Sequence, residues 1–226
     1  MDGKSDKKAP PCNSLLPHEG GILFVITAPS GAGKTSLCWE VIKQAPGLSF
    51  SVSHTTRPPR KNEREGIDYY FVDDTTFDRM IKEGRFLEHA VVYGNRYGTS
   101  RDEVERAKRE KVDLLIEIDR QGARQIRAKF PDAVGIFVAP PSMETLRRRL
   151  MSRNTENSRD IEKRLSIAAE EINDYPLFDY TIINDDFNES VSCLKAIIQA
   201  ERNKTKRQEK ALRRIAGGAP IKQAAD

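Results

Sequence analysis

The sequence predicts an α/β protein with a parallel five-stranded core sheet flanked by helices. Five short apolar runs alternate with helical patterns, and several runs are continuous, as expected of strands that are covered on both faces. A glycine-containing loop also joins the first run to the first helix. The predicted strands are residues 22–27, 48–53, 114–118, 134–139 and 180–184.

Helical patterns lie between these strands and carry the usual start and stop signals. The first follows a glycine turn and ends near Pro46, and the last ends before Pro131, a common stop signal. Charged residues and strong helix formers dominate the second helical pattern, residues 101–111. The predicted helices are residues 34–44, 101–111 and 121–129.

Two stretches interrupt this alternation and predict additions to a single domain over residues 21–205. The first has short alternating runs and a helix near residues 76–83, which predicts a small mixed-β insert. The second is helical and rich in arginine. Residues 1–20 predict a disordered arm, and residues 206–226 a basic tail. The division is insert 53–100, helical segment 141–173, and core 21–52, 101–140 and 174–205.

Composition excludes several classes of protein. A net charge of +4 on 226 residues neither requires nor excludes an anionic ligand. Cys12, Cys38 and Cys193 form no C-x-x-C unit, which argues against a structural zinc site and for reduced thiols. The longest apolar run, residues 22–28, is too short to cross a bilayer. We therefore expect a cytoplasmic protein that requires no membrane and no nucleic acid, since a solvated helix end explains the basic tail.

The strongest local signal lies between the first strand and the first helix. This context suits a Walker A loop, whose glycines let successive backbone N–H groups point at one phosphate. We expect Lys34 to reach the phosphates of ATP, and the Thr35 hydroxyl to face Mg²⁺ directly or through water. Ala28 replaces the usual first glycine, so it must lie in an ordinary backbone region. The loop consists of Ala28, Pro29, Ser30, Gly31, Ala32, Gly33, Lys34 and Thr35.

A phosphate loop occurs in kinases, GTPases, ATPases and transporters, so the loop alone does not identify the class of protein. The residues of the insert can distinguish between these classes. The guanine-reading N-K-x-D signature of GTPases is absent from the sequence. Arg57 and Arg60 lie three residues apart on a proline-containing turn, where planar guanidinium groups suit a phosphate. The hydroxyls of Tyr69 and Tyr97 can complete such a pocket. The sequence therefore predicts a second phosphate site inside the insert.

The same insert carries groups that can distinguish one purine from another. The Glu88 carboxylate can accept the N1–H and N2–H₂ donors of guanine in parallel, whereas adenine presents a different edge. Ser53 and Thr99 have hydroxyls that can donate to the guanine O6 atom. These three residues therefore predict a guanine site beside the second phosphate site.

Eight segments, taken in order, resemble the guanylate kinases of bacterial type. One segment alone would be a weak signal, whereas the ordered set covers nearly all of residues 21–200 and is specific. The resemblance implies the P-loop nucleoside-monophosphate-kinase fold, with the insert as the GMP-binding part and the helical segment as the lid. The segments are residues 28–35, 51–60, 66–72, 86–90, 94–100, 116–123, 161–165 and 183–186.

The resemblance also implies roles for individual residues. Lys34, Arg153 and Arg164 are implied as catalytic, the two arginines as lid residues that clamp the transferred phosphoryl group. Asn184 is implied near the adenine of ATP. The implied GMP ligands are Arg57, Arg60, Tyr69 and Tyr97 for the phosphate, and Ser53, Glu88 and Thr99 for the base.

Two positions depart from the family pattern. Glu117 stands where the family commonly has aspartate, and it is expected to accept from the guanine amino group. Asn154 stands where the lid usually has glycine, and asparagine tolerates a left-handed backbone better than most residues. Asp119, two residues after Glu117 and on the same side of the strand, is expected to hold Mg²⁺ through water.

The expected activity is transfer of the γ-phosphoryl group of ATP to GMP, and to dGMP, with Mg²⁺ as the cofactor. Two alternatives stay open. A non-catalytic phosphopeptide-binding module of guanylate-kinase type would resemble the family less at the phosphate loop, whereas Lys34 and Thr35 are present here. A related P-loop kinase for another small phosphorylated substrate would lose the set of Ser53, Glu88 and Thr99. Homo-oligomer formation is left open as well.

Overall fold

The computed structural model describes residues 21–152 and 158–217. The predicted disordered arm, the end of the basic tail, and the lid positions Arg153 and Asn154 lie outside the described residues. The strands are β1 (Leu23–Thr27), β2 (Leu48–Phe50), β3 (His54–Thr55), β4 (Tyr70–Phe71), β5 (Phe86–Val92), β6 (Asn95–Ser100), β7 (Asp113–Glu117), β8 (Val134–Ala139) and β9 (Tyr180–Ile183). The helices are α1 (Lys34–Gln44), α2 (Asp74–Lys82), α3 (Arg101–Glu110), α4 (Arg120–Lys129), α5 (Met143–Met151), α6 (Ser158–Ile172), α7 (Phe187–Arg202) and α8 (Thr205–Ile215), with a 3₁₀ turn at Tyr175–Leu177.

A parallel sheet in the order β2-β7-β1-β8-β9 forms the core and confirms the predicted fold class. β1 lies at the centre, between β7 and β8. Ligands of open α/β sheets gather beyond the carboxyl ends of the strands. The glycine-containing loop leaves the carboxyl end of β1, so the fold places it in the middle of that edge.

Two apolar clusters cover the two faces of the core sheet. Phe24 and Ile26 pack with Leu37 of α1 and Leu194 of α7 on one face. Val25, which points to the opposite face, packs with apolar residues of α3 and α4. Full burial of one such side chain stabilises the fold by about 1.5–3 kcal/mol. Both faces of β1 are therefore anchored, and this anchoring fixes the start of the loop that follows.

The second strand is shorter than its apolar run predicts. Residues 48–53 were expected to form one strand, but β2 ends at Phe50. The Ser51 N–H still donates to the Leu115 carbonyl (3.0 Å), whereas the Ser53 carbonyl already accepts from the Tyr70 N–H (2.9 Å). The chain therefore leaves the core sheet for a second sheet within three residues, which ends β2 early.

The insert forms this second sheet, in the order β4-β3-β6-β5. β3 pairs with β4 in parallel, and β6 pairs with both β3 and β5 in antiparallel fashion, so the sheet is mixed. Phe77 and Met80 of α2 pack against Phe86 of β5 in a small separate cluster. The insert therefore has its own apolar core beside that of the parallel sheet.

Two helices form the segment expected to be the lid. Apolar residues of α5 and α6 pack against each other and form a further buried cluster, in which Leu146 and Leu150 meet Ile161 and Leu165. Arg147 of α5 also pairs with Glu162 of α6. These contacts hold the two helices together as a hairpin.

The expected basic tail begins with a further helix, α8. Lys206 pairs with Asp132 (3.2 Å), and Arg207 lies 3.6 Å from the buried carboxylate of Glu201, so the start of α8 is attached to the core. Among the helices of residues 21–152 and 158–217, none combines the length and the apolar character that a bilayer crossing requires.

Candidate active site

A cavity of about 480 Å³ opens between the glycine-containing loop, the insert and α6. It lies at the carboxyl ends of β1 and β7, where ligands of this fold class bind. The structure brings to it most of the residues that the sequence predicted for both nucleotides. These are Ala28, Pro29, Ser30, Gly31, Gly33, Lys34, Thr35, Ser53, Arg57, Arg60, Tyr69, Glu88, Tyr97, Glu117, Asp119 and Arg164.

Two glycines with positive φ shape the phosphate loop. Gly31 and Gly33 have φ values of 95° and 91°, a region that disfavours side chains. Space is restricted as well, because a Cβ atom at Gly33 would lie 2.5 Å from the Asn184 side-chain nitrogen. Ala28 has no positive φ, so the missing first glycine causes no strain, as expected. The loop is therefore curved by its two internal glycines.

The last two loop residues are held by the end of β7. Lys34 Nζ donates to the Ile118 carbonyl (2.8 Å) and lies 3.8 Å from Glu117 Oε1. Thr35 Oγ1 donates to the same carboxylate oxygen (2.6 Å). The structure therefore places Glu117 against the phosphate loop, while its expected contact with the guanine amino group stays a prediction. Asp119 caps α4 by accepting from the Gly122 N–H (2.9 Å) and also lines the cavity.

Asn184 lies beneath the phosphate loop instead of in the cavity. Its side chain is buried, and its Nδ2 atom donates to the Ala32 carbonyl (2.6 Å). Neither Asn184 nor Ala32 is among the residues that line the cavity. Asn184 therefore supports the loop from behind, because it follows β9, whose end lies under the turn, and its expected place near the adenine of ATP stays a prediction.

The predicted second phosphate site is assembled around Arg57. Its Nε atom donates to the Tyr97 hydroxyl (3.2 Å), and its guanidinium carbon lies 5.4 Å from the centre of the Tyr69 ring. Burial raises the pKa of the Tyr69 hydroxyl strongly, so this hydroxyl stays protonated and can donate. Arg60 lies nearby with a side chain that is 71% exposed. Three of the four predicted phosphate ligands therefore form one cluster, and the fourth faces solvent at its rim.

The cluster contains a carboxylate that the sequence analysis missed. Glu63 accepts from Arg57 Nη2 with both oxygens (2.8 and 2.9 Å) and from the Arg60 N–H (2.8 Å). Burial would raise the pKa of Glu63, but the hydrogen bonds from Arg57 and the Arg60 backbone outweigh it and lower the pKa. The only local signal was a charged residue three positions after Arg60. Glu63 fixes the direction in which the Arg57 guanidinium points.

Replacement of Glu63 by glutamine is expected to raise the KM for the ligand of this phosphate site. An amide keeps one acceptor oxygen but loses the charge, so Arg57 regains rotamer freedom; we expect a roughly three- to tenfold rise in KM with a smaller change in kcat. Steady-state kinetics at fixed ATP measure both constants. A lower KM would contradict this role, since it would mean that the carboxylate competes with the phosphate.

Glu88 is the most buried acid of the cavity. It is 3% exposed, and its Oε1 atom accepts from the Thr99 N–H (2.9 Å) and the Thr99 hydroxyl (2.7 Å). Burial raises the pKa of Glu88 to about 7, the nearby Asp119 adds to the rise, and the Thr99 hydrogen bonds oppose it. Thr99 thus orients Glu88 through its N–H and its hydroxyl, and the expected contact of this hydroxyl with guanine O6 stays a prediction. Ser53 lines the cavity as predicted.

Gly122 makes room for the Glu88 carboxylate. A Cβ atom at this position would lie 2.3 Å from Glu88 Oε2, far inside contact distance. We expect Gly122→Ala to displace Glu88 and, with guanine as the predicted ligand of this carboxylate, to raise the KM for GMP at least tenfold, because a displaced carboxylate cannot match two donors. The KM for ATP should change little, since the phosphate loop is not touched. Equal changes in both constants would show a general distortion instead.

Arg164 connects the lid to the phosphate loop. It extends from α6, and its Nη1 atom donates to Ser30 Oγ (2.9 Å). The guanidinium group therefore lies over the loop, as expected of a lid arginine. The second predicted lid arginine, Arg153, lies outside the described residues. Glu171 of the same helix also lines the cavity, a residue that the sequence analysis did not single out.

A phosphate loop at the centre of a parallel sheet, facing an arginine pocket beneath a helical lid, defines a P-loop kinase of the nucleoside-monophosphate-kinase class. Comparisons with known proteins are more specific. The family profile described as guanylate kinase matches residues 21–201. The chain therefore belongs to the guanylate kinase family and is a phosphotransferase, which confirms the family predicted from the sequence.

Individual relatives agree with this assignment. A guanylate kinase of Coxiella burnetii is 51% identical over 193 residues, which are 85% of this chain and 94% of that protein. One of Symbiobacterium thermophilum is 47% identical over 192 residues, which are 85% and 91% of the two chains. A crystal structure of guanylate kinase from Anaplasma phagocytophilum matches with a TM-score of 0.74 at 35% identity, over 90% of this chain and 98% of that one. These matches favour neither alternative raised by the sequence.

Proposed function

We propose that the cavity binds ATP on the phosphate loop and GMP in the insert, and that the enzyme transfers the γ-phosphoryl group from ATP to GMP, giving ADP and GDP. One observation carries this proposal: Lys34, Arg57 and Glu88 line one continuous cavity of about 480 Å³. A cation on a phosphate loop, a phosphate pocket and a guanine-matching carboxylate therefore face the same space. Such an arrangement suits two anionic nucleotides whose phosphates meet between the sites.

The donor side of the cavity holds the phosphates of ATP. Apart from Pro29, residues 28–35 carry backbone N–H groups, the positive end of α1 lies at the same place, and Lys34 adds a cation. Thr35 Oγ1 and Glu117 Oε1 lie 2.6 Å apart, so two hard oxygens are close enough to serve one small cation. Mg²⁺ fits this donor set: Thr35 and Glu117 would hold it, with Asp119 acting through water, and it would supply positive charge that neutralises the phosphates.

The acceptor side selects GMP. Arg57, Tyr69 and Tyr97 form the phosphate pocket, and Arg60 can reach it from the rim. The ionised Glu88 carboxylate accepts from guanine N1–H and N2–H₂, while the N1 atom of adenine is itself an acceptor and would face the carboxylate unfavourably. None of the residues proposed for the phosphate or the base has a role at the ribose 2′-hydroxyl, so dGMP is expected to be accepted as well.

Catalysis in this site needs alignment and charge neutralisation more than proton transfer. The attacking oxygen belongs to an anionic phosphate at neutral pH, so no strong general base is required. Lys34 and Arg164 neutralise the charge that gathers between the two nucleotides and hold donor and acceptor in line. Arg153 is expected to share this task. Glu63 and Thr99 keep Arg57 and Glu88 in the orientations that binding requires.

A coupled assay of ADP release tests the proposal. The enzyme is given ATP and Mg²⁺ with GMP, dGMP, AMP, UMP or CMP as the acceptor, and omission of Mg²⁺ tests the metal. We expect turnover with GMP and dGMP, little with the other acceptors, and loss of activity without the metal. Absence of GMP turnover, or equal rates with AMP, would refute the proposed function. Cytoplasmic location and homo-oligomer formation stay predictions that this assay does not address.

A further inference from the structure

The hairpin between β5 and β6 carries an unusual residue at its tip. Val92 pairs with Asn95, so the turn consists of Tyr93 and Gly94, with φ values of 49° and 80°. Such a two-residue turn strongly favours asparagine or aspartate before glycine, because both central residues need positive φ. A bulky aromatic residue in this region is an outlier that calls for an explanation. Hairpin geometry alone would therefore select a small polar residue at position 93.

The other non-glycine residue with positive φ in the described part of the chain has an ordinary explanation. Lys111 follows α3 as its C-terminal cap, where a left-handed residue is common. Tyr93 caps no helix, and its ring is not buried in the insert, since the residue is 46% exposed. The turn accounts for the positive φ at position 93, but neither helix capping nor burial in the insert accounts for a tyrosine there.

The Tyr93 ring faces the cavity and contacts the lid. The guanidinium carbon of Arg164 lies 4.8 Å from the centre of the Tyr93 ring, within the range of a cation–π contact. The same guanidinium donates to Ser30 of the phosphate loop (2.9 Å). Tyr93, Arg164 and Ser30 all line the cavity. One arginine thus joins the insert, the lid and the phosphate loop.

An arginine side chain has many rotamers, and each additional contact reduces the number it can adopt. A contact with Ser30 alone fixes one nitrogen, whereas the face of an aromatic ring fixes the plane of the whole guanidinium group. Because Tyr93 belongs to the insert, this plane is defined only when the tip of the insert lies next to α6. The ring therefore makes the orientation of Arg164 depend on the position of the GMP-binding insert.

We infer that Tyr93 is a positioning residue that holds the Arg164 guanidinium over the phosphate loop when the insert approaches the lid. This inference rests on the proposed function, in which Arg164 contacts the phosphoryl group in transit. Tyr93 acts through Arg164, so it influences the rate of transfer more than the binding of GMP. The strained turn residue is kept because its ring organises a catalytic arginine.

Steady-state kinetics with three Tyr93 variants test this role. Tyr93→Asn places a favoured residue in the turn but removes the ring, and it should lower kcat roughly three- to tenfold while the KM for GMP stays within about twofold. Tyr93→Phe keeps the face of the ring and should restore most of the rate. Tyr93→Leu keeps apolar bulk without a ring face and should behave like Tyr93→Asn. Tyr175→Asn, at an exposed tyrosine that does not line the cavity, is the matched control.

Thermal unfolding and a double-mutant cycle separate positioning from damage to the fold. Tyr93→Asn should melt at or above the wild-type temperature, since asparagine suits the turn. In an Arg164→Lys background, Tyr93→Asn should lower kcat little further, because the planar group that the ring holds is already absent. An unchanged kcat in Tyr93→Asn, equal rates in the Leu and Phe variants, or additive effects in the cycle would overturn the inference. Wild-type enzyme that turns over no GMP would instead refute the proposed function.

Discussion

Lys34→Ala is expected to lower kcat for GMP phosphorylation by about 10³-fold or more while the fold persists. The lysine sits at the end of the phosphate loop with a side chain that is 15% exposed, and it is held by the Ile118 carbonyl and lies beside Glu117. Its charge stabilises the phosphates most strongly when the γ-phosphoryl group is between donor and acceptor. An alanine leaves the two glycine-built bends of the loop intact, because they do not depend on the lysine side chain.

The effect of Lys34→Ala is measured as kcat at saturating ATP and GMP, with circular dichroism as the check of folding. Lys43→Ala provides a matched control, since Lys43 lies on the same helix, pairs with Glu40 and is exposed. The control should keep the wild-type rate within experimental error. A kcat for Lys34→Ala within tenfold of wild type, in folded protein, would remove Lys34 from the catalytic group.

Glu88→Gln is expected to reduce the preference for GMP over AMP by about 10²-fold or more in kcat/KM. An amide offers one acceptor oxygen and brings an N–H₂ donor, which faces the guanine donors unfavourably and can meet the adenine N1 acceptor. The loss should appear mainly as a lower kcat/KM for GMP, accompanied by a smaller rise for AMP. Glu83→Gln, at an exposed glutamate at the end of α2, changes the same functional group without touching the cavity.

Stability measurements distinguish this loss of selectivity from unfolding. The pKa of Glu88 is about 7 in the folded protein, above the usual 4.5, so ionisation opposes folding. This destabilisation by Glu88 ionisation is absent below pH 4.5, grows as the pH rises towards 7, and reaches its full size above pH 7. Glu88→Gln should therefore melt at pH 8 at a temperature no lower than wild type. An unchanged GMP-to-AMP ratio in such a stable variant would remove Glu88 from guanine recognition.

The pH dependence of GMP binding follows from the same carboxyl group. Below about pH 7 the free enzyme carries a proton on Glu88, and GMP pairs best with the ionised form, so binding releases that proton. The KM for GMP should fall as the pH rises from 6 to 8 and then level off. The GMP phosphate itself titrates near pH 6. In Glu88→Gln, only the titration of the GMP phosphate should remain in the pH dependence of the KM. A pH profile of the KM identical to that of the wild type would contradict the role of Glu88 in guanine binding.

The sequence was sufficient for the parallel sheet and for most of the residues that line the cavity. Continuous apolar runs such as residues 134–139 report burial on both faces directly, and the strand–loop–helix context of Lys34 is local in the chain. Arg57 and Glu88 could be placed at the cavity because their chemical types suit a phosphate and a guanine, while those two ligands stay a prediction. Signals of this kind depend on residue type and short spacing.

Other features depend on contacts that no short pattern contains. Gly122 of α4 is needed because Glu88 Oε2 of β5 points at it, and no pattern in the chain around Gly122 indicates this contact. Thr99 was expected at the guanine and Asn184 near the adenine, and in the structure their side chains hold Glu88 and the phosphate loop, a second task that the sequence analysis did not predict. Hydroxyl and amide groups suit either task equally well, so residue type cannot distinguish a ligand from its support.

Two short links join the insert to the core, and they limit how the insert can move against the core. The chain enters the insert within three residues of β2 and leaves it where β6 passes directly into α3 at Ser100. Ser53 and Thr99 lie next to these two crossings in the chain, whereas Arg57 and Arg60 lie farther along the insert. Because both links are short, any movement of the insert against the core would displace residues next to the crossings, such as Ser53 and Thr99, less than residues farther along the insert.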